Sequence, residues 1–259
     1  MEKELIKVEI LDRVGYLTID NPPANQLSAE LKSELMAKIE AMSADDNVWT
    51  VVLTGTGERF FMAGANIPGL LKLDWNSGLE MVQLSRKLYG TFAACEKPII
   101  AAINGFCMGG GCEMALACDI RIAADHVKLG LPEVNLGLIP GGGGTQRMPR
   151  AVGPGWASYL LFTGDAITAA KAHEIGLVQE VVPFSQLRET ALDIAGRINK
   201  KAPLAVRAAK RAARLGFELP IEEGLDIENK AFADCCATQD KNEGVSAFLE
   251  KRKPVFQGR

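Results

Sequence analysis

Histidine is scarce in this chain, with His126 and His173 alone in 259 residues. No G-x-S-x-G turn is present, which argues against a Ser-His-Asp hydrolase, and His173, in TAAKAHEIGL, reads as an ordinary helical residue. The cysteines at 95, 107, 112, 118, 235 and 236 show no C-x-x-C spacing. They read as reduced core thiols, so neither a disulfide nor a zinc site is expected. Positive charge is not in excess, with 29 Lys plus Arg against 32 Asp plus Glu and a net charge of -3. That balance gives no general attraction to nucleic acid or to an anionic membrane, and any anionic ligand must be held by local features. The opening MEKELIKVEI alternates charge with hydrophobe, so no signal peptide or anchor is expected and the mature chain should begin near Met1. Residues 98 to 118 are the most apolar run, yet glycines and Glu113 interrupt it. No membrane span is expected there, and the protein is expected to be soluble and cytoplasmic. G-x-G-x-x-G is missing after the apolar run that ends at Asn104, which disfavours a Rossmann dehydrogenase.

What the chain does have is alternation. LIKVEI and GYLTID flank Asp12 and Arg13 as the arms of a hairpin, and NPPANQLS then breaks the strand. Ser28 can cap a helix over residues 28 to 43, in which Leu31, Leu35, Ile39 and Met42 recur at helical spacing. A buried strand at VWTVVLTG follows, then a helix near 78 to 94, the strand IIAAIN, a glycine loop, a helix carrying Glu113 and the strand DIRIAA. This order predicts an α/β core. Beyond GGGGT the pattern predicts helices near 153 to 162, 168 to 175, 185 to 200, 203 to 215, 220 to 236 and 240 to 251. The change divides the chain near residue 195 into a core, 1 to 195, and a helical region, 196 to 259. No sequence period repeats.

Chemistry is concentrated around NGFCMGGGCEMALACD, where Glu113 stands among apolar residues. Burying a carboxylate there costs several kcal/mol unless it is paired, hydrogen-bonded or protonated. A strand running through glycines into a helix exposes unpaired N–H groups that can bind negative charge. FFMAGANI, residues 60 to 67, is a second such element, and two converging N–H donors would make an oxyanion hole. Either loop alone serves packing as readily as binding. A second acid, Glu133, lies in LGLPEVNLGLIPGGGGTQR. By itself it reads as a surface glutamate on a loop. Two carboxylates in different environments can divide acid and base roles, but their spacing does not show that they meet.

Across nearly its whole length the chain resembles the crotonase (enoyl-CoA hydratase/isomerase) superfamily, and within it short-chain enoyl-CoA hydratases. The resemblance is carried by NPPANQLS, FFMAGANI, KPIIAAINGFCMGGGCEMALACDIRIA, LGLPEVNLGLIPGGGGTQRMPR, FTGDAITAAKAHEIGLVQEVVP and EGVSAFLEKRKPVF. It implies a spiral of β-β-α units with a helical C-terminal region that assembles trimers or dimers of trimers. It implies an acyl-CoA thioester substrate, no metal, and no cofactor beyond the coenzyme A of the substrate itself. By the same resemblance the N–H groups of Ala63 and Gly110 form the oxyanion hole, Glu113 is the base toward water, Glu133 handles the α-carbon proton, and Gly141 positions the water. Ala24, Ala63, Gly64, Ala65, Asn66, Ile67 and Gly110 fall at substrate or CoA contacts, as do Phe248 and Lys251, which would reach the nucleotide of a neighbouring subunit. Asn66 replaces the aspartate of many relatives, and NPPANQL lacks a lysine that several hydratases carry, which removes one expected phosphate contact. An isomerase often keeps only the acid at the position of Glu133, and a non-catalytic acyl-CoA-binding subunit would need neither. The segment near residues 68 to 92 is expected to set the depth of the acyl pocket.

Overall fold

The computed structural model describes residues 4–64 and 67–259. Strands β1 (Ile6–Leu11) and β2 (Val14–Ile19) pair antiparallel. Their connection, Asp12 and Arg13, has positive φ at both residues, the two-residue turn whose twist matches that of the flanking strands. Helix α1 (Ala29–Ala44) follows, and the Ser28 side chain accepts the Leu31 N–H at its start. At its other end the buried Lys97 Nζ donates to the carbonyls of Met42 and Asp45, at 2.7 and 2.6 Å, closing groups that the helix leaves unpaired.

The next elements alternate between two sheets. Strand β3 (Thr50–Gly55), buried along its length, belongs to the larger sheet, and β4 (Phe60–Met62) to the smaller. After the short helix α2 (Ile67–Leu70) and the long helix α3 (Trp75–Ala94), the chain repeats the move with β5 (Ile99–Ile103), β6 (Phe106–Met108) and α4 (Gly110–Ala117). A third round gives β7 (Ile120–Ala124), β8 (Lys128–Gly130), a 3-10 turn over Pro132–Leu136 and α5 (Gly144–Thr163). Then come β9 (Ile167–Thr168), α6 (Ala169–Glu174), β10 (Glu180–Val182), α7 (Phe184–Asn199), α8 (Pro203–Gly216), α9 (Ile221–Cys236) and α10 (Gln239–Leu249).

The larger sheet has the order β1-β2-β3-β5-β7-β10 and is parallel beyond the first hairpin, while the smaller runs β4-β6-β8-β9 with only β9 reversed. Each round thus gives one strand to each sheet and then a helix or helical turn: the spiral of β-β-α units, periodic in space though not in sequence. Asn104 ties the crossings together. Its Oδ1 accepts the Gly55 N–H at 2.9 Å and its Nδ2 donates to the Gly57 carbonyl at 2.7 Å.

Three local expectations change. The glycine loop after Asn104 contains β6, and Glu133 sits on a 3-10 turn. The helix expected from residue 153 starts at Gly144 and bends at Gly153, whose φ of 77° is not helical. Residue 195 falls inside α7, which buries Leu187, Ala191 and Ala195. Helices α8 and α9 meet at Gly216 and Gly224, where a Cβ on either would lie 3.3 Å from the other's Cα. The C-terminal tail is pinned by buried Asp240, which accepts the N–H groups of Gln257 and Gly258 at 2.7 and 2.8 Å. Among the described residues, no helix is long and apolar enough to cross a membrane.

Candidate active site

Parallel strands β4, β6 and β8 all point their carboxyl ends the same way, and the residues that follow them build one site. Ala63 and Gly64 follow β4, Gly109 and α4 follow β6, and Leu131 to Glu133 follow β8. Ligands of α/β sheets sit outside the carboxyl ends of strands for this reason: the loops there converge. Gly64 and Gly109 both have positive φ, 74° and 54°, and they approach closely, a Cβ on Gly64 lying 3.8 Å from Gly110 N. The N–H of Gly110 is the first of α4 and has no partner within the helix.

Glu113 is 4% exposed. Its Oε1 accepts the N–H groups of Gly142 and Gly144, at 2.7 and 2.8 Å. These two donors, from the Gly-rich turn leading into α5, hold the carboxylate in one orientation. Burial raises its pKa above the ordinary carboxylate value, and the Gly144 and Gly142 bonds, Arg147 and Lys32 offset only part of that rise. The turn is held in place from behind. Arg147 Nη1 donates to the Gly142 carbonyl at 2.8 Å, and its guanidinium lies 5.6 Å from the centroid of the Tyr89 ring. The Tyr89 hydroxyl donates to the Gly110 carbonyl at 2.9 Å, so one aromatic side chain braces both the helix and the turn.

Glu133 comes to the same place. A Cβ on Gly109 would lie 3.0 Å from its Oε1, so the absence of a side chain at Gly109 makes room for the carboxylate against the start of α4. Its Oε2 is buried and has no hydrogen-bond partner among the described residues. Burial, with a further push from the Glu113 charge, raises its pKa to about 7. The structure therefore holds one acid that accepts two backbone N–H bonds beside another whose pKa is raised to about 7. Such a pair can take a proton on one side of a small molecule and give one on the other.

The remaining predicted residues divide. Gly141 adjoins this turn, and a Cβ there would meet Val82 Cγ1 at 2.5 Å. Ala63 does not fit its expected part, because its N–H already donates to the Ala24 carbonyl at 3.1 Å. Ala24 and Ala63 instead hold each other, which fixes the NPPANQL loop beside β4. Ile67 is half exposed at the start of α2. Ala65 and Asn66 lie outside the described residues. Phe248 is 82% exposed near the end of α10, and Lys251 follows it with a φ of 54°. Sequence reasoning missed Tyr89, Arg147, Gly142 and Gly144, all of which touch the Glu113 environment. GGGGTQR carried a usable signal for two of them, since a run of four glycines beside a buried acid supplies N–H donors at close range. Among the described residues, no cluster of three or more His, Cys, Asp or Glu could hold a metal ion.

Fold and site together define a crotonase-type protein with two neighbouring acids beyond the carboxyl ends of the smaller sheet's strands. The model of the enoyl-CoA hydratase/isomerase family matches residues 9–259. A crotonyl-CoA hydratase of Syntrophomonas wolfei is 46% identical over 257 residues, covering 99% of both chains. The short-chain-enoyl-CoA hydratase of Clostridium acetobutylicum is 42% identical, covering 98% of this chain and 97% of its own. The crystal structure of an enoyl-CoA hydratase from Bacillus anthracis superposes with a TM-score of 0.95 at 40% identity, covering 99% of this chain and all of that one. The chain belongs to the enoyl-CoA hydratase/isomerase family.

Proposed function

We propose that the protein is an enoyl-CoA hydratase, adding water reversibly to a trans-2-enoyl-CoA to give the 3-hydroxyacyl-CoA. The observation that carries this reading is the pair itself: Glu113 fixed by two N–H donors, and Glu133 against Gly109 with its pKa raised to about 7. Ionised Glu113 takes a proton from water as its oxygen bonds to the β-carbon. The π electrons move onto the thioester, whose carbonyl oxygen gains enolate character. Protonated Glu133 then gives its proton to the α-carbon, and transfer from Glu113 to Glu133 restores the starting state.

Gly110 is the donor carried forward for the thioester oxygen, and Ala63 is dropped because its N–H is already bonded. A preorganised donor of this kind contributes roughly 3 to 4 kcal/mol in mutational studies, and a placed acid or base roughly 100- to 10,000-fold. Coenzyme A enters as part of the substrate, and no separate cofactor is assigned. Gly141 positions the water by its place beside Gly142. Exposed apolar side chains on and between α8 and α9, among them Phe217, Ile221 and Phe232, support assignment of the region from residue 196 onward to trimer assembly, with Phe248 and Lys251 reaching a neighbour's CoA. A cytoplasmic setting goes with an acyl-CoA substrate.

The test is loss of enoyl-thioester absorbance across straight-chain, branched and cyclic 2-enoyl-CoAs, with the 3-hydroxyacyl product identified by mass. Inactivity across the panel would overturn the reading.

A further inference from the structure

Lys32 is buried on α1, 6% exposed, and the chemistry above does not use it. Its Nζ donates to Ser85 Oγ at 2.8 Å, and Ser85 Oγ in turn donates to the Met81 carbonyl at 3.1 Å. An ammonium carries three donors, and the serine takes one. Buried Lys97 and half-buried Lys210 are better provided for. Lys97 Nζ donates to two carbonyls, and Lys210 Nζ donates to the Lys97 carbonyl and pairs with Asp119 at 2.7 Å. For Lys32, Glu113 is the charge that acts on it, and burial outweighs that pull.

The place of the pair in the fold sets it beside the Glu113 site. Val82, Ser85 and Tyr89 stand at i, i+3 and i+7 on α3 and so share one helical face. Val82 closes on Gly141, and Tyr89 closes on Gly142 and bonds the Gly110 carbonyl. That face of α3 is therefore a wall of the Glu113 site, and Ser85, with Lys32 Nζ on it, lies between its two contact points. A hydrocarbon chain beside this wall would leave a desolvated ammonium with a serine hydroxyl as its hydrogen-bond partner, a costly arrangement. A carboxylate would add to the Glu113 charge, which does not offset the burial of Lys32, and would supply acceptors for the remaining N–H groups, as a short charge-assisted contact in a medium that screens poorly.

We propose that Lys32, held by Ser85, recognises a carboxylate carried on the acyl chain, so that the preferred substrate is the CoA monothioester of an unsaturated dicarboxylic acid. This rests on the hydratase reading and names its substrate class.

The test uses the full-length protein and Lys32→Met, which keeps the length of the side chain and removes the charge. Exchange of a buried charge for an apolar group of similar size is often neutral or stabilising, and the melting temperature checks that the variant is folded. Calorimetry measures binding of the saturated, unreactive pairs succinyl- and butyryl-CoA, glutaryl- and valeryl-CoA, and adipyl- and hexanoyl-CoA. Turnover is measured separately on methyl-terminated and carboxyl-terminated 2-enoyl-CoAs. Wild type should favour the carboxylate member of at least one pair, and Lys32→Met should weaken that member by about 10- to 100-fold while its methyl-terminated partner holds or tightens. Absence of a preference in every pair overturns the proposal. So does an equal loss for both members, which would make Lys32 an electrostatic partner of Glu113. If the carboxylate preference and its loss are seen but no enoyl-CoA is hydrated, the hydratase reading falls and the carboxylate site stands.

Discussion

Gly142→Ala tests whether the Gly-rich turn sets the protonation of Glu113. A Cβ at Gly142 would overlap Tyr89 Cε2 and lie 2.6 Å from Glu113 Oε2. Tyr89 cannot simply withdraw, since its hydroxyl is bonded to the Gly110 carbonyl, so the turn or the carboxylate must move and the 2.7 Å bond from Gly142 N is the contact most exposed to loss. A hydrogen bond to a charged group is worth about 1.5–3 kcal/mol, and its loss should raise the Glu113 pKa further. In the proposed mechanism Glu113 works as the ionised base, so the acid limb of kcat/KM should move to higher pH. Activity should fall by up to about 10- to 100-fold at the acid end of the profile and less at its alkaline end. Overpacking adds about 1–3 kcal/mol of destabilisation, which in a chain of this size lowers the melting temperature by about 2–4 °C per kcal/mol. Gly90→Ala is the control, because a Cβ there meets nothing within 4 Å; it should leave the pH profile unchanged. An unmoved acid limb in Gly142→Ala, or an equal shift in the control, would refute the reasoning.

Stability should respond to Glu133 with the opposite sign to a paired carboxylate. Its folded-state pKa, about 7, lies above the ordinary 4.5, so the native state holds the proton more tightly than the unfolded chain and loses stability as pH rises through that window. Glu133→Gln should therefore gain melting temperature over wild type between about pH 5 and about pH 8, and a pH-independent difference in thermal scans would contradict the raised pKa. Lys251→Ala should raise KM for CoA thioesters far more than it lowers kcat, since it removes binding common to ground and transition states; an unchanged KM in steady-state kinetics removes Lys251 from the CoA site.

Glu113 was legible in the sequence because a charge inside GGCEMALA has no cheap burial without partners, and the four glycines that supply two of those partners stand in the same chain. The hairpin was legible through Asp12 and Arg13, and α1 through its Leu31, Leu35, Ile39 and Met42 stripe. Strands β6 and β8 were not, since three residues are too few for alternation to register and each lies in what reads as a loop. Lys32 was hidden by its own chemistry: on α1 it sits three residues before Leu35 and one after Leu31, within the buried arc, yet a lysine reads as solvent-facing. Ala63 failed for a different reason. An N–H in a small-residue turn after a strand looks free, and only the folded NPPANQL loop shows the Ala24 carbonyl that takes it. Tyr89 and Arg147 belong to helices whose patterns explain them as packing, and their contacts to Gly110 and Gly142 come from tertiary closure.

The most direct measurement of the central claim is a double-mutant cycle on kcat for hydration of a trans-2-enoyl-CoA by wild type, Glu113→Gln, Glu133→Gln and the double variant. Each single change should keep the fold and lower kcat by roughly 100- to 10,000-fold. In the proposed mechanism both carboxylates act on one water and one substrate, so the double variant should be little worse than the poorer single one. Penalties that multiply would contradict a shared reaction centre, and wild-type turnover in either single variant would remove that glutamate from catalysis.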